Sequence, residues 1–201
     1  MHREGIQIME SVNLFKIIQF ITLIIFTAFI SDLRKKKGMY PLISKKLIIA
    51  VKITYFVPIS IYGYTLATLN YLLITDFVGL GIALLGTCLV VKAKTDIGEY
   101  HAWTGYQLRT TKLVTRGIYA FIRHPLYTGI YLFIFGTFLT LVTHAYWFLT
   151  TVWVIVLVYI MAVLAVSAAR ETKLLAQAFG DDFLNYKKQV HSFLPIRRFK
   201  E

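Results

Sequence analysis

The chain has 201 residues, of which 57% are hydrophobic, and its mean hydropathy is +0.64. This exceeds what the core of one soluble domain needs, and the apolar residues occur in blocks rather than in amphipathic stripes. A formal net charge of +12 would suggest a nucleic-acid partner for a soluble protein, but the charge is concentrated in three segments that a membrane topology explains. The composition therefore favours an integral membrane protein, and it argues against nucleic-acid binding and a separate soluble catalytic domain.

Five apolar runs predict an all-α membrane protein with five transmembrane helices of roughly 20 residues. The predicted spans are residues 12–30, 47–69, 77–91, 125–141 and 146–168. Pro58 should kink the second span, and Asp76 should be the N-cap of the third. We interpret the first run as a span rather than a cleaved signal peptide, because Lys16 interrupts it and no small-residue cleavage site follows.

The third span contains several small residues. Gly79, Gly81 and Gly86 are expected to let a neighbouring membrane helix approach closely. Cys88, the single cysteine, cannot form an internal disulfide or a thiolate metal site, so we expect a small buried side chain.

The spans divide the chain into two predicted regions. Residues 1–76 form a two-span N-terminal region, and residues 77–201 form a core. The core includes the long polar loop 92–123 and the tail 169–201. In the tail, Gly180 is placed to end a first helix with a left-handed cap, and a second helix should follow through Tyr186.

The distribution of basic residues predicts the orientation in the membrane. The connections after the first and third predicted spans carry six Lys or Arg residues each, and the tail carries seven. The turns after the second and fourth spans carry none. Because basic residues are enriched on the cytosolic side, the N-terminus should lie outside and the C-terminus in the cytosol.

The segment from Thr115 to Gly129 joins the polar loop to the fourth span. Proline disfavours helical geometry in the residue before it but suits the first helical position, so His124 should be extended and Pro125 should open a helix. The free N–H groups at that helix start, beside Arg123, would suit an anionic group of a small ligand.

Other common sites are not encoded. No two histidines lie three or four residues apart, and no cysteine or carboxylate completes a ligand set, so no metal site is predicted. The chain also has no glycine-rich nucleotide-binding fingerprint, no P-loop and no serine in a nucleophile elbow. What remains is a polar, aromatic-rich pocket at one face of the bilayer.

The motifs around this pocket resemble a known family. The segment Arg123-His124-Pro125-Leu126-Tyr127-Thr128-Gly129 is followed downstream by Arg170-Glu171 and by a stretch from Phe179 to Tyr186. This order is similar to the isoprenylcysteine carboxyl methyltransferase family and, more loosely, to the phospholipid methyltransferases. The resemblance covers about residues 77 to 196.

The resemblance implies a methyltransferase with an S-adenosylmethionine site formed without a Rossmann fold. The site would be closed between the last two membrane helices, the loop before them and the tail. The implied cofactor-binding residues are Leu113, Val114, Tyr119, His124, Pro125, Leu126, Tyr127 and Glu171. The implied methyl acceptor is a small lipophilic or amphiphilic molecule that arrives through the bilayer.

Two further residues are candidates for catalysis. Methyl transfer from a sulfonium needs a nucleophile about 3 Å from the methyl carbon, and a phenol, thiol or amine would also need a base. His101 is the candidate base. The arginine that the prenylcysteine enzymes use near substrate falls on Ser167 here, and Arg170, one turn later, is the candidate substitute.

Two other functions stay open at this point. One is an NADPH-dependent oxidoreductase resembling the sterol reductases, which have a similar C-terminal membrane architecture. The other is a non-catalytic membrane scaffold. It is suggested by the segment Ile97-Gly98-Glu99-Tyr100-His101, where the family often has Leu-Gly-x-x-Trp-Ser. The identity of the acceptor, the attacking atom and the oligomeric state also stay open.

Overall fold

The computed structural model describes residues 2–31, 39–41, 43–100, 106–108 and 112–195. The α-helices of this part of the chain are α1 (His2–Ser31), α2 (Lys45–Thr54), α3 (Phe56–Thr68), α4 (Ile74–Ile97), α5 (Pro125–His144) and α6 (Trp147–Gln189). Two 3-10 turns, Gly98–Tyr100 and Gly117–Ala120, flank the loop before α5.

Within the described residues, four helical segments are long and apolar enough to cross a bilayer. They are Met9–Ser31, Ile74–Tyr100, Pro125–His144 and Trp147–Gln189. Large apolar side chains such as Leu14, Ile17 and Ile24 are exposed along α1, as expected where a helix faces lipid. The prediction of an all-α integral membrane protein is confirmed.

The second predicted span is divided into two shorter helices. α2 ends at Thr54 and α3 begins at Phe56, so neither piece alone reaches the length of a span. Pro58 has no N–H to donate to the carbonyl of Thr54, four residues earlier, which explains a break at this point. The predicted distortion by Pro58 is therefore present, as an interruption of the helix.

The closest helix pair is formed by α4 and α5, and glycines on both helices permit it. A Cβ built on Gly86 would lie 2.6 Å from the carbonyl oxygen of Gly129, and one on Gly79 would lie 2.6 Å from that of Gly136. The predicted role of Gly79 and Gly86 is therefore confirmed. That of Gly81 is wrong, because a Cβ there would meet no atom within 4 Å.

Two other predictions about α4 are corrected. Asp76 is not the N-cap but lies three residues after Leu73, the residue that precedes the helix, and its carboxylate accepts the Leu73 N–H at 2.7 Å. Cys88 is exposed rather than buried. Gly86 and Val90 face α5, and a residue two positions from each points to the opposite side of the helix.

A short antiparallel ribbon was not predicted. Strand β1 (Met39–Pro41) pairs with β2 (Tyr106–Leu108), so the connection after α1 meets the loop before α5. α4 also continues to Ile97, beyond its predicted end, and this shortens the polar loop from its N-terminal side.

The last helix extends far beyond the membrane span. α6 has 43 residues, and Gly180 interrupts it with φ 49° and ψ −126°. The positive φ at Gly180 is confirmed, although its ψ differs from that of a left-handed helical cap. The second part of the helix continues to Gln189, beyond the predicted end at Tyr186.

Candidate functional site

The turn that carries Tyr119 is fixed by an aspartate on α4. Asp96 accepts the backbone N–H of Ile118 through Oδ2 at 2.7 Å. Gly117 has a φ of 63°, and a Cβ there would lie 2.6 Å from Cγ of Asp96, so only glycine fits this approach. Tyr119 is consequently buried, with its hydroxyl donating to the carbonyl of Ala93 at 3.4 Å.

The start of α5 follows the predicted pattern. Pro125 is the first residue of the helix, and the N–H of Thr128 donates to the carbonyl of His124 at 3.1 Å. His124 lies outside the helix with φ −122° and ψ 58°. This backbone is non-helical, as proline requires of the preceding residue, but it is not fully extended.

Residues 190–193, here called the C-terminal strap, pair with the chain just before α5. The N–H of Arg123 donates to the carbonyl of His191, and the N–H of His124 donates to the carbonyl of Ser192, both at 2.9 Å. The strap therefore uses the N–H of His124, the residue before the helix. The expectation that free N–H groups of the first helical turn bind an anion stays a prediction.

Side chains reinforce the strap. The guanidinium of Arg123 donates from Nε to the carbonyl of Val190 at 2.9 Å and from its second terminal nitrogen to Oγ of Ser192 at 2.6 Å. The hydroxyl of Thr128 donates to the carbonyl of Phe193 at 3.1 Å. The strap is thus attached at both of its ends to the entry of α5.

Three of the predicted site residues meet beneath the strap. The hydroxyl of Tyr127 donates to Oε2 of Glu171 at 3.4 Å, and Nδ1 of His124 lies 3.7 Å from the same oxygen. The other imidazole nitrogen lies 3.3 Å from Oγ1 of Thr172. The rings of His124 and Tyr127 are roughly parallel, with centroids 5.6 Å apart. α5 and α6 therefore bring a carboxylate, an imidazole and a phenol together.

Burial sets the charge of these groups. Burial, with a smaller contribution from the neighbouring Arg123, lowers the pKa of His124 to about 4, so the imidazole is neutral at pH 7. Enclosure between α5 and α6 raises the pKa of Glu171 to about 7, and the hydrogen bond from Tyr127 opposes this rise. Because 37% of the Glu171 side chain remains exposed, water limits the effect. The His124–Glu171 contact is consequently not an ion pair at neutral pH.

One polar atom near this cluster lacks a partner. Ser167 lies one helical turn before Glu171, is 0% exposed, and its Oγ makes no hydrogen bond within the described chain. A buried hydroxyl normally has a partner, and leaving it unpaired costs on the order of 1 to 3 kcal/mol. Because the two residues are four positions apart, Ser167 and Glu171 lie on the same face of α6.

Leu113 and Val114 lie in a different environment. Together with residues 97–100 they line a cavity of about 360 Å³ beside the end of α4. Both side chains are half-buried. The structure therefore places them beside the end of α4, and their participation in one site with the His124 cluster stays a prediction.

The remaining predicted residues are placed as follows. Pro125 is buried and Leu126 is half-buried, in the first turn of α5. Arg170 is exposed on α6. His101 lies outside the described residues. Within the described ranges no group of three or more His, Cys, Asp or Glu side chains could hold a metal ion.

Sequence reasoning missed several contacts of the site. The hydroxyl of Tyr186 donates to the backbone carbonyl of Tyr119 at 2.6 Å and so connects the end of α6 to the loop. The ring of Phe193 lies 5.7 Å from the ring of His124 and 6.0 Å from that of Tyr131. Tyr186 was part of the recognised motif, but nothing in its local sequence indicated a partner 67 residues away.

A profile of phospholipid methyltransferases matches residues 74–182, which include α4, α5 and the His124 cluster. The chain belongs to the phospholipid methyltransferase family. It is also 29% identical over 119 residues to a protein-S-isoprenylcysteine O-methyltransferase of Schizosaccharomyces pombe. That alignment covers 58% of this chain and 48% of the relative, so the chain spans about half the length of the curated relative it matches.

The phospholipid methyltransferase match and the relative together confirm the resemblance predicted from the motifs. The family match ends at Asp182, so Tyr186 and the C-terminal strap lie beyond the matched residues. The contacts that close the site over His124 are therefore observations on this chain itself.

Proposed function

We propose that the protein transfers a methyl group from S-adenosylmethionine to a lipophilic or amphiphilic acceptor at the membrane. The observation that carries this proposal is the meeting of His124, Tyr127 and Glu171 in one cluster formed by α5 and α6. The family motifs led us to expect that all three residues bind the cofactor. Membership of a methyltransferase family supports the reaction class.

The residues of the cluster fit the cofactor. S-adenosylmethionine carries an ammonium, a carboxylate and a sulfonium, and it supplies the methyl group when bound. Glu171 would hold the ammonium through a charge-assisted hydrogen bond. The unpartnered Oγ of Ser167 would donate to a carboxylate or ribose oxygen. The ring of Tyr127 would face positive charge.

The chain's own groups would also orient and protect the reacting centre. The Tyr127 hydroxyl holds the Glu171 carboxylate in one orientation. His124 is neutral, so it adds no positive charge beside a cationic ligand. The strap, with Phe193 against the imidazole, covers one side of the cluster and limits access of water.

A lipophilic acceptor is supported by a cavity inside the helix bundle. It has a volume of about 210 Å³ and lies between α1, α3, α5 and α6. Its lining is mostly apolar and includes Phe26, Tyr62 and Trp153. If the acceptor carries a carboxylate, as in prenylcysteine, we propose that Arg170 supplies the cation that Ser167 cannot.

We also propose five membrane crossings, with the N-terminus outside and the C-terminus in the cytosol. Phe15 packs against Phe77, and Phe26 stacks on Phe133. Phe133 is level with Gly86 of α4, so α1 and α4 run in the same direction. The chain between them must then return across the membrane, and α2 with α3 is the segment available to do so.

The direct test is calorimetry of the detergent-purified protein with S-adenosylhomocysteine, followed by incubation with methyl-labelled S-adenosylmethionine and a total lipid extract. We expect saturable binding and one labelled lipid class. Folded protein that does not bind S-adenosylhomocysteine would refute the proposal. Thermal protection by NADPH alone would favour the reductase interpretation instead.

A further inference from the structure

We infer that the protein has a separate binding site for an anionic lipid headgroup, between Arg123 and the end of α6. A cavity of about 520 Å³ lies on this side of the C-terminal strap. The residues that line it and that carry the argument are Arg123, Leu184, Lys187, Lys188, His191 and Leu194. The inference concerns binding alone and does not depend on the proposed methyl transfer.

The charge of this cavity selects an anion. Arg123, Lys187 and Lys188 all line it, together with His191 and the hydroxyl of Ser192. Among the described residues that line the cavity, none is acidic. Three basic side chains around one open cavity give a positive potential, and guanidinium and ammonium groups are the usual partners of phosphate oxygens.

The position of the cavity selects a lipid over a soluble anion. Phe193 of the strap packs against Tyr131, which lies in the second turn of the membrane helix α5, so the strap sits at the level where α5 enters the bilayer. Leu184 and Leu194 at the rim are 43% and 58% exposed. Basic groups beside exposed apolar side chains at this depth match a phosphate headgroup and its first acyl carbons.

The site adjoins the contacts that hold the strap. The same guanidinium that lines the cavity donates to Val190 and Ser192 of the strap. A bound phosphate would therefore provide another hydrogen-bond acceptor for a guanidinium that already joins the strap to the residues before α5. Free phosphate has the same headgroup chemistry, so the experiment must separate the two sources.

The test is native mass spectrometry of the full-length, detergent-purified protein titrated with short-chain phosphatidylglycerol, with short-chain phosphatidylcholine as the zwitterionic comparison. The double variant Lys187→Gln/Lys188→Gln removes two exposed ammonium groups of the cavity and should fold normally. The double variant Lys45→Gln/Lys46→Gln removes the same charge from exposed positions at the start of α2 and serves as the control.

We expect the Lys187/Lys188 variant to bind phosphatidylglycerol roughly tenfold or more weakly than the wild type, and the control variant to bind within about twofold. Phosphatidylcholine should bind weakly to all three proteins. Equal losses in both variants, or no loss in either, would overturn the inference, because binding would then follow net charge or another surface. Glycerol 3-phosphate that binds as tightly as phosphatidylglycerol would also overturn it and would identify a soluble-phosphate site.

Discussion

Glu171 accepts a hydrogen bond from Tyr127 and lies beside the neutral imidazole of His124. Among the described residues, no Lys or Arg side chain lies within hydrogen-bonding distance of its carboxylate. Desolvation therefore outweighs stabilisation of the anion, and the pKa of the carboxyl is raised. A cationic ligand would reverse that balance, because it would favour the ionised form.

The first prediction concerns the pH dependence of cofactor binding. Binding of an ammonium requires ionised Glu171, so the affinity for S-adenosylhomocysteine should rise as the pH passes upward through about 7. Glu171→Gln should weaken binding roughly ten- to hundredfold, since hydrogen bonds to charged groups contribute about 1.5 to 3 kcal/mol. It should also remove the pH dependence. Calorimetry between pH 6 and 8 measures both effects.

Lys173→Gln is the matched control for this prediction, because Lys173 is exposed on the same helix two residues away. Its affinity and pH profile should equal those of the wild type. A Glu171→Gln variant that is folded and binds S-adenosylhomocysteine with wild-type affinity would show that the carboxylate does not contact the cofactor.

A second prediction concerns stability and rests on His124. Its folded-state pKa of about 4 lies below its usual value near 6.5, so the unfolded chain binds an extra proton between these pH values. This contribution to stability is complete above pH 6.5 and is lost as the pH falls toward 4. Relative to His124→Asn, the free energy of unfolding of the wild type should fall by on the order of 2 kcal/mol over this range. Melting temperatures of both proteins, measured at several pH values in this range, test the prediction. An equal fall of the two melting temperatures with pH would contradict it.

The meeting of His124, Tyr127 and Glu171 could be anticipated, because a motif of fixed order carries them, and their role as a cofactor site stays a proposal. The contacts that were missed have a common cause. The strap was not found, because its backbone and side-chain hydrogen bonds join residues 65 to 69 positions apart. Hydrogen bonds between backbone groups so distant along the chain do not depend on side-chain type, so they leave no local pattern.

At the level of helices, the α4–α5 pair is the tightest packing in the described fold. Glycines at 79, 86, 129 and 136 bring the two backbones together, and the His124 cluster begins five residues before Gly129. The position of the site relative to the loop therefore depends on this packing. Helix association in a membrane relies on close van der Waals contact. A larger residue at these glycines would force the two helices apart.

A third prediction follows from this packing. Gly86→Leu should lower the melting temperature of the detergent-solubilised protein by several degrees or prevent folding, because its side chain would enter the backbone of α5. Gly81→Leu, on the same helix, should leave the melting temperature within about one degree, because no atom lies within 4 Å of the added Cβ. Similar losses in both variants would indicate a general effect of leucine in α4.

Helix ends were predicted less well than helix identity. Pro125 allowed the start of α5 to be predicted, because proline suits the first helical position and disfavours helical geometry in the residue before it. The end of α4 was placed six residues too early, because Lys92, Lys94 and Asp96 looked like a loop. The helix carries these polar groups beyond the apolar run, and Asp96 is used to fix the Tyr119 turn. Polarity alone therefore marks the edge of the membrane and not the end of the helix.

For the molecule as a whole, the order and direction of the helices decide where the site faces. Composition predicted the membrane class, and the basic segments predicted an orientation. The break between α2 and α3 could be anticipated only as a distortion at Pro58. The ribbon of β1 and β2 could not be anticipated, since three-residue strands lack a periodic pattern long enough to detect.

The fourth prediction tests the topology. In a Cys88→Ala background, Lys187→Cys should react with a membrane-impermeant maleimide only after permeabilisation. Asn70→Cys, between α3 and α4, should react in intact cells. Equal labelling of both positions before permeabilisation would contradict the proposed orientation, and a reversed pattern would place the cluster on the outer face.

The hydrogen bonds that Arg123 and His124 donate to the C-terminal strap have a consequence during synthesis. A nascent chain that stops before residue 190 would carry helices α1 to α6 but no strap. These helices could insert and pair without it. Binding of the proposed cofactor would then require residues 190–193 as well, so translation products that stop earlier are expected to insert without a complete site.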